Sequence, residues 1–382
     1  MLDRTKKYRV FLSAAERSAD VHCAGLITDL LKKGYDNIEF VGVGGPKMAQ
    51  AGCKLLRDTV SKAVMIYKAI SHIGHYYKLI KSVACYIKTA NVDLVIVCDS
   101  PSYNFHIAKA AKKTGSRTLF YVAPQLWAWG GWRIRKLRKY CDKLCCILPF
   151  EQDWFAQKGI DAVFVGNPLF DEMDISLSRR KTYADFEPRN LRLALLPGSR
   201  AAEIESLWRP MQEIALRLKE KCPAATFVTV AVDAERRQVL RATQIPGFEC
   251  QYTVGAVGDT VGDCDFALAA SGSVTLQVAA AGCPMVIMYQ SSKILWHLIG
   301  RFLVKTKYFS LVNILAGREL VPEFMPYFTS VGPIMDTIER LLKDKNRLAQ
   351  TSAELIGLVG PLVEKKAGEE TAKIVLEMLR LV

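Results

Sequence analysis

Short apolar runs alternate with amphipathic segments along the whole chain. Each run is short and apolar, which is typical of strands buried in a parallel sheet. The alternation predicts βα units. The predicted strands of the first half are Arg9–Ser13, Ile38–Val43, Leu94–Cys98, Thr118–Val122, Leu144–Leu148 and Ala162–Val165. Those of the second half are Leu193–Leu196, Thr226–Val230, Phe266–Ala270 and Pro284–Tyr289.

A polar stretch from Glu172 to Asn190 separates the two halves and predicts a linker. The chain has 382 residues, more than one ordinary core accommodates, so we expect two domains. We predict an α/β protein with Rossmann-like domains over residues 1–171 and 190–345 and a cleft between them. The last stretch, Ile334–Val382, predicts helices only. A helix near residues 360–382 is expected to pack back on the first domain or on a partner subunit.

The chain is strongly basic, with 52 Lys and Arg against 38 Asp and Glu, a net charge of +14. Such an excess indicates an anionic partner, which is nucleic acid, an acidic membrane surface or a phosphorylated substrate. No nucleic-acid recognition module appears, which disfavours nucleic acid. No apolar run reaches the roughly 18 residues that a membrane span requires. The first apolar run, Val10–Ala15, is too short for a secretory signal. We therefore expect a cytoplasmic protein.

The 11 cysteines are scattered, and several lie inside predicted strands. They show no metal-ligand spacing, and the 5 histidines do not group with them. Buried free thiols in a reducing compartment are the expectation. We predict no metal and no cofactor.

Asp99 follows the apolar run Leu94–Cys98, and Pro101 prevents that strand from continuing. In open α/β sheets, ligands bind just beyond the carboxyl ends of the strands. Asp99 is therefore a candidate general acid or base. The alternative is that Asp99 caps a helix that starts near Tyr103, a common use of aspartate.

The segment Leu195–Arg200 predicts a strand, a tight turn and the start of the helix Ala201–Lys221. Free backbone N–H groups at such a turn bind anions, and an arginine grips phosphate with two hydrogen bonds. Ser199 and Arg200 are therefore candidate phosphate ligands. The alternative is an ordinary turn whose arginine is neutralised by Glu203 and Glu205.

A second turn of this kind follows the strand Phe266–Ala270, with Ser271, Gly272 and Ser273 at the start of a helix. The serines either cap the helix or meet a phosphate, and the glycine permits close approach of the backbone. Two such turns in one domain favour a nucleotide diphosphate. Asn313 is either a helix cap or a contact to a sugar hydroxyl or phosphate oxygen.

Two segments that combine apolar, aromatic and basic residues favour contact with an anionic membrane surface. They are Val64–Ile80 and Lys293–Lys307. The alternative is a buried helix whose lysines extend to solvent. The predicted membrane contacts are Met65, Ile66, Ile70, Ile73, Tyr77, Trp296 and Phe302.

Taken in their order along the chain, these motifs resemble those of the lipid-A-disaccharide synthase family. Its members are inverting glycosyltransferases of the GT-B type. The resemblance covers nearly the whole chain. Its most specific parts are Val41–Met48, Pro124–Trp129, Leu148–Glu151, Leu195–Arg200, Ser310–Glu319 and Val321–Glu323. It implies transfer of 2,3-diacylglucosamine from its UDP derivative to 2,3-diacylglucosamine 1-phosphate (lipid X), which forms a β(1→6) disaccharide and UDP in lipid A and lipopolysaccharide biosynthesis.

The resemblance also implies roles for individual residues. The catalytic base of the family falls on Asp99, its phosphate-contacting arginine on Arg200 and its donor-site asparagine on Asn313. The first loop motif is present as Ala14–Asp20 and implies that Glu16 and Ser18 bind substrate. A further implication is peripheral attachment to the cytoplasmic face of the inner membrane, and a homodimer formed through the C-terminal helices is expected.

This sequence departs from the family motifs at several positions. Gln277 replaces a glutamate expected to bind the donor ribose, and its amide oxygen accepts a hydrogen bond without a charge. The other departures are Ala15, Arg17, Ala19, Ser102 and Asn167. They leave two alternatives, a UDP-sugar epimerase or hydrolase of the same architecture, and a non-catalytic paralogue that binds UDP or lipid.

Overall fold

A computed structural model describes residues 6–60, 73–171, 173, 181–293, 296–297, 304 and 306–380. The chain divides into two compact units, an N-terminal unit of Met1–Asp171 with Pro361–Val382 and a C-terminal unit of Glu172–Gly360. Each unit is built on one sheet, of seven strands in the first and six in the second. All of the strand pairs described are parallel.

The N-terminal sheet has the strand order β3-β2-β1-β4-β5-β6-β7. Its strands are β1 Tyr8–Ala14, β2 Ile38–Gly44, β3 Lys54–Asp58, β4 Leu94–Cys98, β5 Arg117–Tyr121, β6 Lys143–Cys146 and β7 Ala162–Phe164. The helices of this unit are α1 Arg17–Lys32, α2 Pro46–Gln50, α3 Ile73–Thr89, α4 Pro101–Thr114, α5 Ile134–Tyr140, α6 Pro149–Ala156 and, from the end of the chain, α14 Ala367–Leu379.

Strand β4 shows why the central strands read as unbroken apolar runs. Leu94, Ile96 and Cys98 lie in the core beneath α1 and α14. Val95 and Val97 lie in the core on the other face of the sheet, with residues of α3, α4 and α5. Successive side chains of a strand point to opposite faces, and helices cover both faces here, so every position is apolar.

The C-terminal helix α14 completes the N-terminal unit. It packs against α1, and Ile374, Val375 and Leu376 are buried in the same core as β1 and β4. Asp171 accepts hydrogen bonds from the backbone N–H groups of Ala367 and Gly368, both at 2.8 Å, at the start of the helix. The predicted packing of a terminal helix on the first domain is confirmed.

The C-terminal sheet has the order β10-β9-β8-β11-β12-β13. Its strands are β8 Arg192–Leu196, β9 Thr226–Ala231, β10 Gln251–Val254, β11 Phe266–Ala270, β12 Met285–Met288 and β13 Glu323–Phe324. Its helices are α7 Ala201–Lys221, α8 Ala234–Ala242, α9 Val257–Gly262, α10 Val274–Ala280, α11 Leu311–Ala316, α12 Gly332–Leu342 and α13 Lys345–Val363. Trp208 of α7 lies fully buried in its core, with its ring N–H bonded to the carbonyl of Leu240 at 2.9 Å.

All ten predicted strands are present, and three further strands among the described residues were missed. The missed strands, β3, β10 and β13, each lie at an edge of a sheet. None of their residues is fully buried, so they lack the apolar run that marks a central strand. In the part of the chain that the structure describes, no helix is long and apolar enough to cross a membrane.

Replacing Val375 with Ala should lower the free energy of unfolding by about 2 kcal/mol, because a fully buried side chain leaves a cavity between α14 and α1. The matched control is Val239→Ala on α8, where the valine is 37% exposed and the cost should stay below about 0.5 kcal/mol. Urea unfolding measures both. Equal effects of the two variants would contradict the packing of α14 in the core.

Candidate active site

Each sheet has one point at which the order of its strands reverses direction. In the N-terminal sheet this point lies between β1 and β4, and in the C-terminal sheet it lies between β8 and β11. The loops on either side of such a point diverge and leave a crevice that binds ligands. The candidate residues Glu16, Asp99, Arg200 and Ser271 lie in the four loops that follow these strands.

The turn that carries Asp99 is strained. Asp99 and Ser100 have φ angles of 51° and 40°, in the left-handed region that side chains other than glycine rarely adopt. Val122, directly after the neighbouring strand β5, has φ of 65°. Strained residues of this kind cluster at functional sites. Ser100, and not Asp99, occupies the N-cap position of α4, which begins at Pro101 and not near Tyr103 as predicted.

Asn104 stabilises this turn through hydrogen bonds to its backbone. Its side-chain amide donates hydrogen bonds to the carbonyl oxygens of Cys98 and Asp99 at 2.9 and 2.7 Å. Ser13 of β1 donates to the amide oxygen of Asn104 at 2.7 Å, and both side chains are fully buried. Buried hydrogen bonds between fixed partners resist rearrangement, so they maintain the strained turn and leave the half-buried Asp99 at the carboxyl edge of the sheet.

The loop after β1 meets this turn. Ser100 donates a hydrogen bond to the Glu16 carboxylate at 3.2 Å, which joins the two loops of the N-terminal switch point. Ser18, in the first turn of α1, is exposed. Contacts of Glu16 and Ser18 with substrate stay predictions.

Asp20, the last residue of the same loop motif, has a structural role that sequence reasoning missed. Its buried carboxylate accepts hydrogen bonds from the backbone N–H groups of Gly45, Lys47 and Met48 at 2.9, 3.1 and 3.0 Å, at the start of α2. A Cβ atom at Gly45 would lie 2.4 Å from the Asp20 carboxylate. The sequence feature that could have revealed this role is the glycine pair before Pro46. A carboxylate that binds the N-terminus of α2 requires close approach of the backbone, which glycine permits.

Two further motifs are joined by a buried hydrogen bond. The ring N–H of Trp127 donates to the Glu151 carboxylate at 2.9 Å. The backbone N–H groups of Ile147 and Leu148 donate to the other carboxylate oxygen at 3.1 and 3.0 Å. Burial raises the pKa of Glu151 to about 7, although all three hydrogen bonds oppose the rise. Glu151 therefore fixes the loop that follows β5 against the start of α6.

The turn after β8 has the geometry of an anion site, and a carboxylate of the protein occupies it. Glu203 Oε2 accepts hydrogen bonds from the backbone N–H groups of Ser199 and Arg200 at 3.0 and 3.1 Å. Glu203 Oε1 pairs with the Arg200 guanidinium at 3.2 Å. Gly198 has φ of 99°, and a Cβ atom there would lie 2.4 Å from the same carboxylate. Arg200 is thus paired with Glu203, as the alternative reading of this turn expects, and binding of a phosphate by Ser199 and Arg200 stays a prediction.

The turn after β11 lies across the switch point from Gly198. Gly272 and Ser273 are exposed, and nothing lies within 4 Å of a Cβ atom built on Gly272. Ser273 is the N-cap residue of α10 but forms no side-chain cap hydrogen bond, so the predicted capping by this serine is wrong. Ser271, before this helix, and Gln277, within it, are half-buried. Their contacts with a ligand stay predictions.

Asn313 is fully buried, and its side chain uses all of its hydrogen-bonding capacity within the protein. It donates to the carbonyl of Val321 at 2.8 Å and to the Glu323 carboxylate at 3.0 Å. It accepts from the backbone N–H groups of Leu320 and Val321 at 2.8 and 3.1 Å. These bonds fix the segment between α11 and β13. Contact of Asn313 with a donor sugar stays a prediction.

Several predicted residues lie outside the described side chains, namely Met65, Ile66, Ile70, Ile73 and Phe302. Of the predicted membrane contacts that are described, Tyr77 is exposed, and the Trp296 ring packs on Phe309 with a centroid distance of 5.5 Å. Asn167, a departure from the family motif, is buried and caps a short 3₁₀ helix by accepting from the N–H of Leu169 at 3.1 Å.

The 11 cysteines are free thiols, and seven of them are buried. Among the described residues, no group of three or more His, Cys, Asp or Glu side chains has the arrangement of a metal site. Metal independence stays a prediction.

Two parallel sheets with loops at their switch points define the GT-B class of α/β proteins. The S. aureus MnaA structure with UDP has a TM-score of 0.62 and 13% identity, and the match covers 98% of both chains. The Acinetobacter baumannii MurG structure has a TM-score of 0.60 and 14% identity, over 97% of this chain and 99% of that one. These similarities show the fold.

A family model described as lipid-A-disaccharide synthetase matches residues 10–377, so the chain belongs to this family of glycosyltransferases. The lipid-A-disaccharide synthase of Geobacter metallireducens is 33% identical over 378 residues, which covers 97% of each chain. That of Myxococcus xanthus is 31% identical over 383 residues, which covers 98% of each chain. The resemblance seen in the sequence motifs is confirmed.

The raised pKa of Glu151 predicts a pH dependence of stability. The folded protein binds this proton more tightly than the unfolded chain, so stability falls as pH rises from the ordinary value of 4.5 to about 7 and is level above it. Glu151→Gln should remove about 3 kcal/mol of this fall. Urea unfolding at a series of pH values measures it.

The matched control for Glu151→Gln is Glu235→Gln, because the Glu235 side chain is 81% exposed. This control should follow the pH profile of the wild type. If the profile of Glu151→Gln also parallels the wild type, Glu151 is not the buried group that titrates.

Proposed function

We propose that this protein transfers 2,3-diacylglucosamine from UDP-2,3-diacylglucosamine to 2,3-diacylglucosamine 1-phosphate and forms the β(1→6) disaccharide and UDP. The observation that carries the proposal is the chemistry that each of the two switch points presents within its own unit. The N-terminal one has the Asp99 carboxylate on a strained turn, and the C-terminal one has an anion-binding turn. The names of the relatives support the choice of substrates.

In the proposed complex, the donor diphosphate binds at the C-terminal switch point. The Glu203 carboxylate already accepts from the N–H groups of Ser199 and Arg200, which are the donors that a phosphate would use. The diphosphate displaces Glu203 and pairs with Arg200, whose side chain is 74% exposed and has room to turn. The hydroxyls of Ser271 and Ser273 provide further donors from the facing turn.

The acceptor binds at the N-terminal switch point, where Asp99 is the general base. Asp99 takes the proton from the acceptor 6-hydroxyl as that oxygen attacks the anomeric carbon of the donor. The bond from this carbon to the diphosphate breaks on the opposite face, and UDP leaves with the bonding electron pair. Arg200 and the turn N–H groups stabilise the charge that develops on the diphosphate, so no metal is required.

Both substrates carry acyl chains, so we propose that the protein works at the surface of the inner membrane, on its cytoplasmic side. The net charge of +14 supports attachment to an anionic surface. Analysis of products by mass spectrometry, after incubation with both acylated sugars, tests the proposed reaction. An altered or hydrolysed monosaccharide without a disaccharide would instead indicate an epimerase or hydrolase.

Asp99→Asn should lower kcat by roughly a hundredfold to ten-thousandfold, because an amide does not accept the acceptor proton. The affinity for UDP should not change, because UDP binds through the C-terminal unit. Steady-state assays and calorimetric titration with UDP measure the two quantities. The control Asp153→Asn alters an exposed aspartate of the same unit and should leave both unchanged. Near-normal turnover of Asp99→Asn would remove Asp99 from the mechanism.

Glu203→Gln should bind UDP about fivefold more tightly, because it removes a negative charge that competes with the diphosphate. Affinity for uridine, which lacks phosphate, should not change. The control Glu205→Gln makes the same charge change at an exposed position of α7 and should have little effect. Calorimetric titration with both ligands measures these values. Weaker UDP binding by Glu203→Gln, or an equal gain for uridine, would contradict a diphosphate at this turn.

A further inference from the structure

Two tryptophans and an arginine form an exposed cluster after strand β5. Trp129 is 43% exposed and Trp132 is 61% exposed, and their rings meet edge to face with centroids 6.5 Å apart. The Arg133 guanidinium stacks on them at 4.4 Å from the Trp129 centroid and 5.7 Å from the Trp132 centroid. Large exposed apolar side chains that lie together mark interaction sites.

Helix α5 continues this cluster with a row of cations. We call the cluster and these cations together the Trp–Arg surface. Its members are Trp129, Trp132, Arg133, Arg135, Lys136, Arg138 and Lys139. Within the described part of the chain, none of its five cations forms an ion pair with a carboxylate. The nearest acid along the chain after α5, Asp142, pairs with Lys112 instead.

The fold fixes this surface and does not bury it. Trp127, two residues before Trp129, is buried and anchors the loop to Glu151 at 2.9 Å. Trp129 and Trp132 therefore point outward from an anchored loop and are not displaced core residues. Leu137 is buried and Ile134 and Tyr140 pack against the same core, so Arg135, Lys136, Arg138 and Lys139 are left on the exposed side of this short helix.

The Trp–Arg surface begins, with Trp129, at the same edge of the N-terminal sheet as Asp99, and its later residues on α5 lead toward the opposite edge. Its loop follows β5, and the Asp99 N–H donates to the last carbonyl of β5, that of Tyr121, at 3.1 Å. Helices α3 and α5 both pack on α4, and α3 exposes Tyr77 beside lysines. Aromatic and basic side chains thus occur on both sides of α4.

We propose that the Trp–Arg surface docks on a bilayer of anionic phospholipid. Indole rings prefer the boundary between headgroups and acyl chains, where one edge is apolar and the N–H is hydrated. Unpaired Arg and Lys side chains around them attract anionic headgroups. The proposal rests on the proposed function, because docking at this edge brings the Asp99 turn close to a membrane that contains acylated substrates.

Co-sedimentation of the full chain with vesicles of phosphatidylglycerol and phosphatidylcholine tests the proposal. The wild type should bind these vesicles and not vesicles of phosphatidylcholine alone. Trp129→Ala with Trp132→Ala, and separately Arg135→Glu with Lys136→Glu, should weaken binding at least about tenfold. The matched control is Arg217→Glu with Arg241→Glu on the C-terminal unit, which changes the net charge equally at exposed positions and should weaken binding less than about twofold.

An assay of sugar transfer between substrates dispersed in detergent distinguishes failure of this proposal from failure of the proposed function. Both surface variants should retain wild-type turnover there, which also shows that they fold. If the wild type bound vesicles but formed no disaccharide, the proposed function would be wrong and the docking surface would still stand. Wild-type vesicle binding by both variants, or equal weakening by the control, would overturn the docking surface. The docking surface would also be overturned if the two variants bound single-stranded RNA more weakly than the wild type does but bound vesicles equally well.

Discussion

The site depends on the direction of parallel strands. Because every described strand pair in both sheets is parallel, the carboxyl ends of all strands in a unit meet at one edge. The chain starts each sheet in its middle, with β1 beside β4 and β8 beside β11, and builds outward on both sides. The loops after these central pairs diverge, so each unit acquires one crevice at its carboxyl edge. The family motifs Ala14–Asp20 and Leu195–Arg200, together with Asp99, lie at those loops, whereas others, such as Pro124–Trp129 after β5, do not.

Buried polar side chains fix loops in both units. Asn104 fixes the strained Asp99 turn, and Glu151 fixes the loop after β5. In the C-terminal unit, Asn313 and Glu323 fix the segment before the edge strand β13. An unsatisfied polar group in a core costs as much as several apolar contacts gain, so each partner pair admits one arrangement. Motif residues of this kind position the functional groups and need not touch a substrate.

The central strands could be predicted because helices cover both of their faces, which requires an unbroken apolar run. The edge strands β3, β10 and β13 were not predicted. Each has a single neighbouring strand and is partly exposed, so it does not require an unbroken apolar run. The Asp99 and Arg200 turns could be located, since each follows a recognisable strand. The carboxylate partners of Gly45 and Trp127 could not, because Asp20 and Glu151 are distant from them in sequence. Such pairings follow from tertiary packing, and the spacing of residues along the chain does not encode them.

The central claim is that the crevice between β8 and β11 binds the diphosphate of the donor. Amide resonances of the isotope-labelled protein, followed by NMR during titration with UDP, test it most directly. The account predicts that the largest shifts occur at the N–H groups of Ser199, Arg200, Gly272 and Ser273. Shifts confined to the opposite end of the C-terminal sheet, at the cavity lined by Leu216, Phe227 and Phe248, would contradict this claim.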